Sequence, residues 1–150
     1  MANKYRYRRG PQISRKVKKT GTVAIEQGDM LQIAYGSGRV RAAALSSDHD
    51  DLVGIAMDAS PATDLTATEI RMLEIGHGTV FEMIVASATQ IYGQQYTIDG
   101  AQTLIKYTST SAFNSATNVV AVCAEDLDTA GTSVLVQFLA GALQKDITGS

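Results

Sequence analysis

The chain has 150 residues, 13 Lys and Arg against 15 Asp and Glu, no Trp, one Cys and a hydrophobic share of 45%. That length suits one domain with a core of ordinary size, and the hydrophobic share excludes wholesale disorder. The single cysteine excludes an intrachain disulfide and a cysteine-built metal cluster, and no apolar run reaches the ~20 residues of a membrane-spanning helix.

The net charge of −2 hides an asymmetry. Positions 1–19 hold Lys4, Arg6, Arg8, Arg9, Arg15, Lys16, Lys18 and Lys19 and no acid, a charge of +8. The rest keeps five of the 13 bases and all 15 acids, a charge of −10. The pattern predicts a basic arm on an acidic body. The leader shows neither strict alternation nor a helical apolar stripe. Gly10-Pro11 marks a turn or kink in its middle. The expectation is an arm over 1–19 that is extended and mobile alone and orders on a partner. No apolar segment of secretory type follows the first basic residues, so synthesis in a cytoplasm is expected.

From Thr20 onward short apolar runs alternate with Gly, Asp, Ser and Thr. Thr22–Glu26 reads as a strand. Met30–Tyr35 and Arg39–Leu45 flank Gly36-Ser37-Gly38 and read as a bulged hairpin. Leu52–Asp58 reads as a strand. Ser47 and Asp50 have capping-box spacing for a rival short helix, but Gly54 and the β-branched pair Val53 and Ile55 disfavour a helix interior. Glu69–Ile75 and Thr79–Val85 flank Gly76-His77-Gly78 and predict a further hairpin. Its apolar face is Leu73, Ile75, Phe81, Met83 and Val85. Asp99-Gly100 joins Gln94–Ile98 to Ala101–Tyr107 as a two-residue hairpin. After a polar loop, Thr108–Asn118, the runs Val119–Ala124 and Ser133–Ala140 close the domain, separated by an acidic turn. The fold class is mainly β: a small β-barrel or β-sandwich over 20–140, with the extended basic arm before it and a loosely ordered tail over 141–150.

Chemistry is sparse. No G-x-S-x-G nucleophile elbow and no phosphate-binding P-loop occurs. His49 and His77 are the only imidazoles, and His77 sits in a glycine turn, where exposure or contact with a neighbouring subunit is its expected role. Asp48, His49, Asp50 and Asp51 form the densest acidic group. They lack the spacing and terminal Glu of a calcium loop and read as a solvated loop. The expectation is a non-enzyme without catalytic, cofactor-binding or metal residues. Candidate partner contacts are Tyr5, Arg6, Tyr7, Arg8, Arg9, Arg15, Lys16, Lys18 and Lys19. Arginine offers forked donors to carboxylate or phosphate, and tyrosine adds flat contact area. Two partners fit that chemistry: nucleic acid bound in a salt-sensitive way by the leader alone, or an acidic protein surface, a capsid lattice or the chain's own acidic body.

The runs GDMLQIAYGSGRVRAAA, DDLVGIAMDAS, EIRMLEIGHGTVFEMIV, GQQYTIDG and VVAVCAEDLDTAGTSVLVQFL, taken in order, resemble the small capsid decoration (cement, head-stabilising) proteins of tailed phages. A "GD" turn opens a strand, an "LVGIA" strand follows a polar loop, and a "VxVxxL"-type strand closes the domain. The resemblance spans about Gly28–Leu139 and leaves the basic leader outside. It implies a β-rich domain on the outer surface of the mature head, often a homotrimer, bound to the major capsid protein and bracing the shell against internal DNA pressure. Another virion part, such as a tail-tube, neck or spike component, is the alternative within the same class, and a nucleic-acid-associated protein is the alternative outside it.

Overall fold

The computed structural model describes residues 5–20, 24–34, 37–43, 52–61, 68–90, 92–98, 104–106, 119–125 and 127–139. Eleven β-strands lie among them: β1 (Tyr5–Arg9), β2 (Ser14–Lys18), β3 (Met30–Ala34), β4 (Arg39–Ala42), β5 (Leu52–Ala56), β6 (Glu69–Glu74), β7 (Val80–Gln90), β8 (Gln95–Ile98), β9 (Leu104–Lys106), β10 (Val119–Cys123) and β11 (Leu127–Phe138). They form a six-stranded sheet, β1-β7-β11-β10-β8-β9, and a five-stranded sheet, β2-β6-β5-β3-β4. Every ladder is antiparallel. The expectations of a mainly β fold, of a strand beginning at Leu52 and of β3–β4 and β8–β9 pairing hold, but β5 ends at Ala56, and Ile98 pairs with Leu104 and not Ala101, so β8 and β9 are joined by five residues and not by the expected two. The expected acidic loop at 48–51, the polar loop at 108–118 and the tail at 141–150 lie outside the described residues.

Alternation explains the packing. Phe81 and Met83 of β7, Val134, Val136 and Phe138 of β11, and Tyr5 of β1 face a core that also takes Leu52, Ile55, Leu73 and Ile75 from the other sheet. The Phe138 ring meets Tyr5 edge-on at 5.3 Å and Phe81 at 5.8 Å. Such pairs add about 0.5–1.5 kcal/mol beyond the area they bury.

The five-stranded sheet buries its second face as well. Ile25, Leu31, Val40, Val53, Ala56, Ile70 and Met72 form a separate cluster there. Hence all of β5 is buried. Leu31 pairs with Gly54 but Gln32 pairs with Leu52, so Val53 is an inserted residue. That bulge is why Val53 and Ile55, two positions apart, enter different clusters. The sheet curls until its two edges meet at one bridge, Lys19 to Val40, with the Thr20 amide 2.9 Å from the Val40 carbonyl. Among the described residues no continuous ladder joins those edges, so the alternative of a closed barrel is not realised.

Two expectations are corrected. The run Glu69–Val85 is not a hairpin: β6 belongs to one sheet and β7 to the other. Gly76 and Gly78, with φ of 92° and 81°, carry the chain round a corner between the layers. The edges that β6 and β7 do not offer each other are filled by the leader. Ser14–Lys18 runs antiparallel along Leu73–Glu69, and Tyr5–Arg9 along Met83–Val80. The second correction follows: residues 5–19 are not a free arm. They are two strands and a corner, woven into both sheets. Gly10, with φ of 98°, crosses directly over the β6–β7 corner, and Thr79 Oγ1 donates to the Pro11 carbonyl there.

Candidate attachment surface

The leader's side chains sort by the pleat. On β1, Tyr5 is buried and Tyr7 half-buried, while Arg6, Arg8 and Arg9 are exposed. The Tyr7 hydroxyl donates to the Gly10 carbonyl at 2.9 Å, tying the strand to its corner. Arg8 pairs with Glu82 of the neighbouring β7 at 2.9 Å. On β2, Arg15 and Val17 share one side. Val17 reaches the second cluster, and Arg15 lies diagonal to Glu74, which it meets through Nε at 3.2 Å and a terminal nitrogen at 3.1 Å. Glu74 is 4% exposed and also faces His77 Nε2 at 3.5 Å, so the corner histidine is drawn against the body and not simply exposed.

Lys16 and Lys18 project from the other side of β2, opposite Arg71 and Glu69. Lys16 and Arg71 are like charges across one ladder, which is unfavourable by itself. Arg71 is instead held by Asp58, with Nε and a terminal nitrogen at 3.1 and 2.8 Å and its backbone amide at 3.0 Å. Those hydrogen bonds from Arg71 hold the Asp58 carboxyl below the usual carboxylate range, and the same pairing raises Arg71. Lys19 is fully buried and donates Nζ to the Pro61 carbonyl at 2.9 Å.

Tyr5 and Lys19 therefore do not offer their side chains to a partner, because core packing and a buried hydrogen bond hold them inside. Burial pushes the Tyr5 hydroxyl well above its ordinary value. Arg8 and Arg15 bond to the chain's own acids. Arg6, Arg9, Lys16 and Lys18 remain exposed and have no ion pair among the described residues. They stand on two strands that sit at the edges of their sheets.

Between the outer edge of β1 and the end of β5 lies a cleft of about 650 Å³. Ile55, Leu73 and Phe81 form its apolar floor, Tyr7 and Met57 its flanks, and Arg6 and Arg71 border it. Among the described residues none that lines it is an acid. Sequence reasoning missed this cleft, since it exists only where the edge of one sheet meets the other.

No family model matches the chain, and no curated protein or solved structure matches it either.

For chemistry, the described residues hold no group of three or more His, Cys, Asp or Glu placed to bind a metal ion. Cys123 is buried, and its thiol donates to the Glu125 carbonyl at 2.9 Å. Burial, with a smaller contribution from Cys123 beside it, pushes the Tyr96 hydroxyl far up. Both side chains are buried in the core. Among the described residues no helix is long and apolar enough to cross a membrane.

Proposed function

We propose that this chain is a structural β-module that attaches to a larger protein assembly, and that the assembly is the head of a tailed phage, whose outer shell it braces as a decoration protein. The observation that carries the attachment reading is the set Arg6, Arg9, Lys16 and Lys18, exposed on strands already fixed in the fold. A mobile arm would lose about 1–2 kcal/mol of backbone entropy per residue ordered on binding. Here that loss is met during folding, so the cations meet an acidic surface pre-organised. The phage head enters through the resemblance of Gly28–Leu139 to head-stabilising proteins. In that setting the partner is the major capsid protein, and a homotrimer multiplies the contacts at high effective concentration.

The test is co-sedimentation of the purified chain with expanded phage heads across a salt series. Saturable binding that weakens with salt is expected, and reversing Arg6, Arg9, Lys16 and Lys18 to Glu together should abolish it while far-ultraviolet circular dichroism stays unchanged. Wild-type protein left in the supernatant at low salt would remove the reading.

A further inference from the structure

We infer that the cleft beside β1 is a docking site for an extended acidic peptide of a partner protein, which adds to the sheet as a strand. The inference rests on the attachment reading and names the chemistry of the segment captured.

Backbone directions on β1 follow from its neighbours. The Tyr5 amide donates to the Gly28 carbonyl at 3.1 Å, away from β7. On β11 the Leu135 amide goes to Glu125 Oε1 and the Leu135 carbonyl takes the Ala124 amide. Leu135 thus faces away from β7, and the pleat turns its neighbours Val134 and Val136 toward β7, at Met83 and Phe81. Phe81 and Met83 direct their main-chain groups to β11. Tyr7 is the register partner of Phe81, so its own N–H and C=O point out of the sheet's free edge. An edge of this kind is a template for another strand.

The cleft lies along that edge. A strand laid beside Tyr7 can exchange main-chain hydrogen bonds with it, as in other strand-addition complexes, while alternate side chains enter the floor of Ile55, Leu73 and Phe81. Charge selects the occupant. Two arginines border the cleft, and among the described residues no acid lines it. Arg71 is already held by Asp58, but Arg6 is exposed and has no ion pair among the described residues. A peptide alternating apolar and acidic residues matches both the floor and the rim.

The probe is a short fluorescein-labelled peptide alternating valine and glutamate, with a valine–lysine peptide as the control. Anisotropy with the full chain should show saturable, salt-weakened binding of the acidic peptide only. In amide spectra of the wild-type protein, the acidic peptide should shift Tyr7, Gly28, Ala56 and Met57, and should slow hydrogen exchange at Tyr7. Tyr7→Pro removes the outward donor at an edge position where proline is tolerated. It should weaken binding about tenfold, or about 1.4 kcal/mol. Arg6→Glu should weaken it further.

Equal binding of both peptides would overturn the inference, as would shifts confined to Arg9, Lys16 and Lys18, or no binding at millimolar peptide. Self-association of the chain that Tyr7→Pro abolishes would make a second copy the occupant and overturn the peptide reading. If the acidic peptide binds and phage heads do not, the head assignment fails and the cleft stands. If heads bind Tyr7→Pro as well as wild type, the cleft fails and attachment stands.

Discussion

Gly54 has no room for a methyl group. A Cβ built there would lie 2.5 Å from the Leu73 carbonyl oxygen and 2.8 Å from Met72 Sδ. The Leu73 carbonyl is backbone in the next strand and cannot give way without moving β6. Gly54→Ala should therefore cost about 1–3 kcal/mol in urea unfolding, the range of overpacking in a tight core. Gly38 gives the contrast, since nothing lies within 4 Å of its Cβ position and only its φ of +69° resists substitution. Gly38→Ala should cost about 1 kcal/mol. A glycine in a strand pattern predicts a bulge or a close backbone approach, and Gly54 supplies both. In the sequence Gly54 argued only against a helix, and the neighbour it admits was hidden because Leu73 is distant in the chain. Tyr5 and Tyr7 were misread in a different way, as contacts on an arm without strict alternation. Their alternation with Arg6 and Arg8 is a strand period that inserts the rings and exposes the bases. The charge count of the whole leader obscured that local pattern.

Hairpins closed by short loops were readable because chain reversal itself brings the partners together: β3 meets β4, and β8 meets β9. The Gly76-His77-Gly78 turn carried the same local signal but led between layers. A turn sequence states that the chain changes direction, not which edge the next strand will join. The leader decides the matter, since β1 and β2 occupy the edges of β7 and β6. A truncated chain starting at Thr20 should then fail as a folded body, not merely lose an appendage. It would expose two sheet edges and remove Tyr5 from its place against Phe138. The expected result is loss of the cooperative thermal transition and dye binding to exposed apolar surface. A truncation that melts like the full chain would show the leader to be dispensable.

At the scale of the molecule, Tyr5 and Tyr96 link stability to alkaline pH. Both hydroxyls titrate higher in the fold than the ordinary value of 10.0, chiefly because they are buried. Below that value both states hold these protons and stability is unaffected by them. Above it the unfolded chain releases protons that the folded chain keeps, so stability falls as pH rises. Each tyrosine contributes a slope of about 1.4 kcal/mol per pH unit until its folded form ionises. Urea unfolding between about pH 9 and pH 11 should show the decline, and Tyr5→Phe should make it shallower. Acid should matter less here. Asp58, whose carboxyl is lowered, loses its contribution as pH falls through its folded value, but its pair with Arg71 is exposed and worth little.

The stitched leader also sets an order of events during synthesis. Residues 5–18 leave the ribosome ahead of their partners, since β2 waits for β6 at 69–74, and β1 waits for β7 at 80–90. β7 itself gains its second neighbour only when β11, at 127–138, has been made. Residues 5–18 are thus bystanders until those later strands exist, and docking them closes large loops of chain, a topology that makes folding slow. Throughout that wait the nascent protein carries two unmatched cationic strands past every acidic surface in the cell.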